Sequence, residues 1–185
     1  MNRKEFWNLI DGSKEYEDQA EWLLDVLAQK SINEILDFEF HFQGFMNESY
    51  QSQLWAAAYI LMGGCSDDTF DYFRGWLIGQ GEEVYNKVMQ NHEYLAKYIS
   101  EENLDEEGLP QNEELLSVGA DAYTLKKTGD IEWNSDVYDE LLEELNRRGI
   151  GSAADDIDLD WEEDEEELEK LFPLLWKRFG EDSLG

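Results

Sequence analysis

The chain has 185 residues, and its 45 Asp and Glu against 14 Lys and Arg give a formal net charge of −31. Such a surface repels phosphate backbones and anionic lipid heads, which disfavours direct nucleic-acid and membrane binding and leaves a basic partner, a cation or water to meet it. Disorder is disfavoured too, because 42% hydrophobic and 14% aromatic residues supply ample apolar area for one core.

The first nineteen residues lack the apolar stretch of a signal peptide. The single cysteine, Cys65, cannot form an internal disulfide, so an oxidising compartment is not implied. The apolar run Leu54 to Met62 is too short to span a bilayer. These features fit a soluble bacterial protein of the cytoplasm.

Helical periodicity runs through almost the whole chain. Phe6, Leu9 and Ile10 mark a first helix that stops near Gly12-Ser13. Trp22, Leu23, Val26 and Leu27 mark the inward face of a second. Ser31 and Glu34 form a capping box, each satisfying an orphan amide of the other. The helix they open carries Ile35, Leu36, Phe38, Phe40, Phe42 and Phe45, which is more than one face requires, so it sits between neighbours. Leu54 to Met62 is apolar all round and predicts a central buried helix ended by Gly63-Gly64. Ser66 caps the next helix, from Asp67 to about Gln80, with Asp67 and Asp68 where the helix dipole favours anions.

Amphipathic stretches follow at Val84 to Met89 and Tyr94 to Ile99. Residues 101–114 read as an exposed acidic loop containing Gly108-Leu109-Pro110, leading into a helix from about Glu113 to Lys126. A further helix spans Asp136 to Asn146. The fold class is therefore all-α, a bundle of roughly seven to nine helices. Its expected organisation is a core domain over 1–148, a linker over 149–157 and an acidic helical segment over 158–185. In that segment Leu168, Leu171, Phe172, Leu175 and Phe179 form a stripe that packs back on the core. Pro173 predicts a kink or a fresh helical start.

The densest local signal is the segment from Gly63 to Ile78. Arg74 shares a helical stripe with Phe70, Phe73 and Leu77, and a guanidinium there needs partners for its five donors. Asp71, Asp67 and Asp68 are the nearest carboxylates. Two readings stay open: a pocket in which Arg74 grips an anionic group, or a structural buried ion pair. The second is favoured because buried Arg–Asp pairs are a common structural device.

At this point the chain resembles a known family. The opening FW and LID, the segment LWAAAYILMGGCSDDTFDYFRGWLIGQG and the closing LFPLLWKRFG are similar to the bacterial domain of unknown function 4240. The signature falls on Trp55, Gly64, Asp67, Asp68, Phe73, Arg74 and Trp76. The resemblance implies a bacterial helical domain and carries no activity with it.

Asp156, Asp158, Asp160, Asp164 and Glu167 fall at positions 1, 3, 5, 9 and 12 of an EF-hand register. However, Trp161 stands where the turn demands Gly and Glu163 where a hydrophobe is usual, so a solvated charge run is the preferred reading. Two histidines and one Cys build no standard zinc site, and no nucleotide-binding or hydrolase motif is present. Cys65 after Gly-Gly reads as small packing, and His41 between two Phe as a satisfied core histidine. No catalytic residue and no cofactor are assigned.

The functional expectation is an acidic protein-binding domain, of the kind that neutralises a basic bacterial toxin as an immunity protein or antitoxin. Its expected contact surfaces are Glu101, Glu102, Asp105, Glu106 and Glu107 in the acidic loop, with Asp158, Asp160, Glu162 and Glu163 near the C-terminus. The alternatives are a small-ligand or enzymatic pocket at Asp67, Asp68 and Arg74, and a generic adaptor.

Overall fold

The computed structural model describes residues 1–150 and 157–185. Eleven helices and no strand occur among the described residues. They are α1 (Arg3–Ser13), α2 (Gln19–Ala28), α3 (Ile32–Glu48), α4 (Ser52–Met62), α5 (Asp67–Gly79) and α6 (Glu82–Gln90), followed by α7 (Leu95–Tyr98), α8 (Val118–Thr128), α9 (Ser135–Arg148), α10 (Glu165–Leu171) and α11 (Pro173–Leu175). The count exceeds the seven to nine expected. One extra helix comes from the C-terminal stripe, which breaks before Pro173 into α10 and α11; the stretch read at Tyr94 to Ile99 is a tight turn followed by the short α7.

The local starts and stops are chemical. Ser31 and Glu34 form the capping box of α3, with the Ser31 amide donating to Glu34 Oε2 at 3.0 Å. Gly63 ends α4 at φ +66, a left-handed conformation that costs glycine nothing. Proline stands first in α11, where its missing N–H matters least.

Helix α3 lies at the centre, packed against α1, α2, α5, α8 and α9. Its Ile35, Phe38, Phe42 and Phe45 join Phe6 and Trp7 of α1 in one aromatic core. Helix α4 buries Leu54, Ala56, Ala57, Ala58, Ile60 and Leu61, so it is buried on several sides, as the all-apolar run predicts.

The C-terminal residues cover α4. Trp161 is buried and its indole N–H donates to the Ser52 carbonyl at 2.9 Å. Leu168, Phe172, Leu175 and Phe179 are buried, and the Leu184 amide donates to the Leu61 carbonyl at 2.8 Å. Arg178 donates to the carbonyls of Ala96 and Ile99, which fastens the same segment to α7. Glu93 accepts from the Leu174 amide with both carboxylate oxygens, at 3.0 and 3.1 Å, and so caps α11 from outside. Most of the expected linker over 149–157 lies outside the described residues.

Candidate functional site

One face of α5 presents Tyr72, Trp76, Gly79 and Gln80, spaced i, i+4, i+7 and i+8, as the floor of an open groove of about 1220 Å³. The turn between α1 and α2, from Lys14 to Ala20, forms one wall. Residues 102–107 and 111–114 form the other.

The walls are tied to the floor. The Trp76 indole donates to the Asn103 carbonyl at 2.6 Å, and the Asn112 amide donates to the Tyr72 carbonyl at 3.0 Å. Gln19 donates to the Gly79 carbonyl at 3.0 Å. Gly75 and Gly79 permit this closeness, since a Cβ would lie 2.9 Å from the Asn112 carbonyl oxygen at one and 2.8 Å from Leu115 at the other. Tyr98 donates to Gln80 at 2.8 Å and closes one end.

The groove gathers carboxylates from distant parts of the chain. Glu102, Asp105, Glu106 and Glu107 line it, as do Glu113 and Glu114, with Glu17 and Asp18 on the opposite wall. Among the described residues, Lys14 is the one Lys or Arg lining it. Asp105 shapes its wall by accepting from the amides of Glu107 and Leu109 at 2.9 and 2.8 Å. A hydrogen bond to Glu113 raises the Tyr72 hydroxyl above its ordinary value. Dense negative charge beside the half-buried Tyr72 ring and the Gln80 amide suits ammonium and guanidinium groups, through ion pairing and cation–π contact with Tyr72. Trp76, by contrast, is buried and serves to anchor Asn103.

The sequence-predicted contact residues divide. Glu102, Asp105, Glu106 and Glu107 line the groove; Glu101 does not. Asp158, Asp160, Glu162 and Glu163 are exposed elsewhere, beside α4. The Asp160 amide donates to the Ser52 hydroxyl at 3.0 Å, and its carboxylate accepts from that hydroxyl. Among the described residues no group of three or more His, Cys, Asp or Glu could hold a metal. Asp156 lies outside the described residues, and Trp161, at the turn position of the calcium register, is a buried anchor.

Arg74 is buried, with 6% exposure. It donates to the Met46 carbonyl at 2.5 Å and to the Asp71 carboxylate, while its Nε has no partner among the described residues. The guanidinium carbon lies 4.8 Å from the Tyr50 ring centre and 5.0 Å from that of Phe70. Asp67 and Asp68 stand exposed in the first turn of α5, apart from it. Arg74 lines neither the groove nor a smaller cavity at Gln53 and Asp160.

Glu39 was not singled out from sequence. It follows Ile35 by four residues and precedes Met46 by seven, on the buried face of α3, and that spacing is its visible signal. Burial pushes its carboxyl up to about 7; Gln43, donating at 2.8 Å, opposes the rise and Asp121 adds to it. Its Oε2 is buried without a partner among the described residues, close to Gly119 of α8. Burial likewise raises the Cys65 thiol to about 12, which leaves it protonated near neutrality.

The family model described as "Protein of unknown function (DUF4240)" matches residues 1–125. The chain belongs to that family. The matched region contains the whole groove and the Arg74 node, whereas Leu171 to Gly180, expected from the sequence to resemble the family's ending, lies outside it. No curated protein and no solved structure matches the chain.

Proposed function

We propose that this domain binds a basic protein, with a lysine- or arginine-bearing segment of that partner lying in the groove floored by Tyr72 and Trp76. The observation that carries this reading is the groove lining, eight carboxylates against Lys14 over aromatic and amide groups. Opposed charge steers such a partner in and weakens as salt screens it. An immunity- or antitoxin-type role follows if the bound segment belongs to a toxin's basic substrate groove, which the domain would occlude without chemistry of its own. The alternative, an anion pocket at Arg74, has two guanidinium nitrogens already donating to Met46 and Asp71.

The test is capture of partners from native lysate at low salt, elution at high salt, and repetition with Glu106→Lys, Glu107→Lys and Glu113→Lys combined. A salt-released basic protein whose affinity falls tenfold or more in the triple variant supports the reading. Partners that are not basic, or that ignore the variant, overturn it.

A further inference from the structure

Beyond the family-matched region, the turn between α8 and α9 leaves Trp133 74% exposed and Ile131 54% exposed. The indole is held in place: its centroid lies 4.8 Å from the Tyr138 ring. One turn further along α9, Leu142 is 37% exposed, whereas Leu141 and Leu145 are buried against the core. Helix α9 thus packs one apolar face against α3 and α8. A second line, Trp133, Tyr138 and Leu142, extends along it on another side, with Trp133 well exposed and Tyr138 and Leu142 partly so. Contiguous exposed apolar surface built on an ordered aromatic is the mark of an interaction site, and Trp is the residue most enriched among interface anchors.

The surroundings identify the occupant. From Gly129 to Asn146 the chain has seven carboxylates and no Lys or Arg. Asp130, Glu132, Asp136 and Asp139 are exposed beside the apolar line. The bases that flank this stretch are engaged, Lys127 with Glu140 at 2.6 Å and Arg147 with Glu144 at 2.5 Å. A second copy of this chain would bring the same acidic rim and a net charge of −31 against it, and an anionic bilayer would be repelled in the same way.

We infer that Trp133, Ile131 and Leu142 form a docking surface for a basic protein, whose apolar socket takes the indole while lysines or arginines around the socket meet the carboxylate rim. This surface is separate from the groove. Lys126, near the end of α8, reaches the carbonyl of Ala28 at the end of α2, so the two helices run the same way. The groove lies at the start of α2 and Trp133 follows the end of α8, whose eleven residues span about 16 Å.

The test uses the full chain with 15N-labelled tryptophan, whose seven indole signals are followed by NMR, that of Trp133 being identified by its loss in Trp133→Phe. The probe is a synthetic amphipathic helical peptide of leucine and lysine. Peptides of lysine alone, and of leucine with glutamate, serve as comparisons. A saturable shift of the Trp133 signal with the leucine–lysine peptide, weakened at least tenfold in Trp133→Ala and absent with both comparison peptides, supports the proposal. Affinity at this site should change less than twofold when Glu106→Lys and Glu107→Lys alter the groove, so the two surfaces succeed or fail separately. The proposal is overturned if the signal does not move, if lysine alone moves it equally, if anionic vesicles move it, or if sedimentation shows a dimer that Trp133→Ala abolishes.

Discussion

The Arg74 guanidinium closes the C-terminus of α3 by donating to the Met46 carbonyl at 2.5 Å. A helix end leaves carbonyls without intrahelical partners, and positive charge is favoured there. Two neighbouring groups act at the same end: the Tyr85 hydroxyl donates to the Phe45 carbonyl at 2.9 Å, and Ser49 does so at 2.8 Å. Arg74 and these neighbours therefore build a junction of α3, α5 and α6.

Arg74→Lys should lower stability by about 1–2 kcal/mol, because an ammonium cannot span Met46 and Asp71 while stacking between Tyr50 and Phe70. Urea denaturation measures the loss, and binding of basic peptides in the groove should stay within twofold. Unchanged stability, or loss of binding to an anionic small molecule, would contradict this structural role.

Glu39 predicts a pH dependence of definite sign. Its carboxyl is raised from 4.5 in the unfolded chain to about 7 in the folded one. Between those values the folded state holds a proton that the unfolded state has released, so this contribution is full below about pH 4.5 and fades as pH rises towards 7. The gap corresponds to on the order of 3 kcal/mol. Glu39→Gln should therefore gain stability relative to the natural chain as pH rises from 5 to 7. Parallel stability–pH curves for the two proteins would refute the assignment.

Gly119→Ala should destabilise by about 1–3 kcal/mol, since its Cβ would overlap Glu39 Oε2. Shortening the partner with Glu39→Ala should recover part of that loss. A double-mutant cycle on thermal unfolding reads the coupling, and strict additivity would show that the two sites do not press on each other.

Cys65 should react with thiol reagents slowly. With its thiol raised to about 12, the thiolate fraction at pH 8 falls on the order of a thousandfold below that of a free cysteine. Alkylation at the rate of free cysteine would place the thiol in a different environment.

Trp161→Ala should cost about 3 kcal/mol, through lost packing on α4 and the lost bond to Ser52. Proteolysis should then cut first within residues 157–185, leaving α1 to α9 intact. Simultaneous loss of all helices would instead make this segment inseparable from the core fold.

Much of the fold is legible one residue at a time because its causes are local. Ser31 with Glu34, Gly63 after an apolar run, and Pro173 inside a stripe each act on backbone groups within a turn or two, so the starts and stops of α3, α4 and α11 follow from neighbours in sequence. Local signals compete in two places: a proline inside the C-terminal stripe separates α10 from α11, and a cap shortens the helix after α6. The stretch after α6 divides because Asn91 caps a tight turn before α7, and that outcome depends on geometry, not on apolar spacing.

The sequence alone determined that this chain is acidic and helical, with an apolar stripe near its C-terminal end and an arginine placed among apolar residues in α5. Composition and the helical period carry that information, and both are properties of the chain itself. Which acids act together is set by the packing of the helices. Glu17 and Asp18 face Glu106 and Glu113 across one groove because the α1–α2 turn and the acidic loop both pack against α5. The same packing also decided that Arg74 serves the end of α3 and that Glu39 is sealed against Gly119. Such relationships join residues far apart in sequence, and no periodic pattern records which helices will meet.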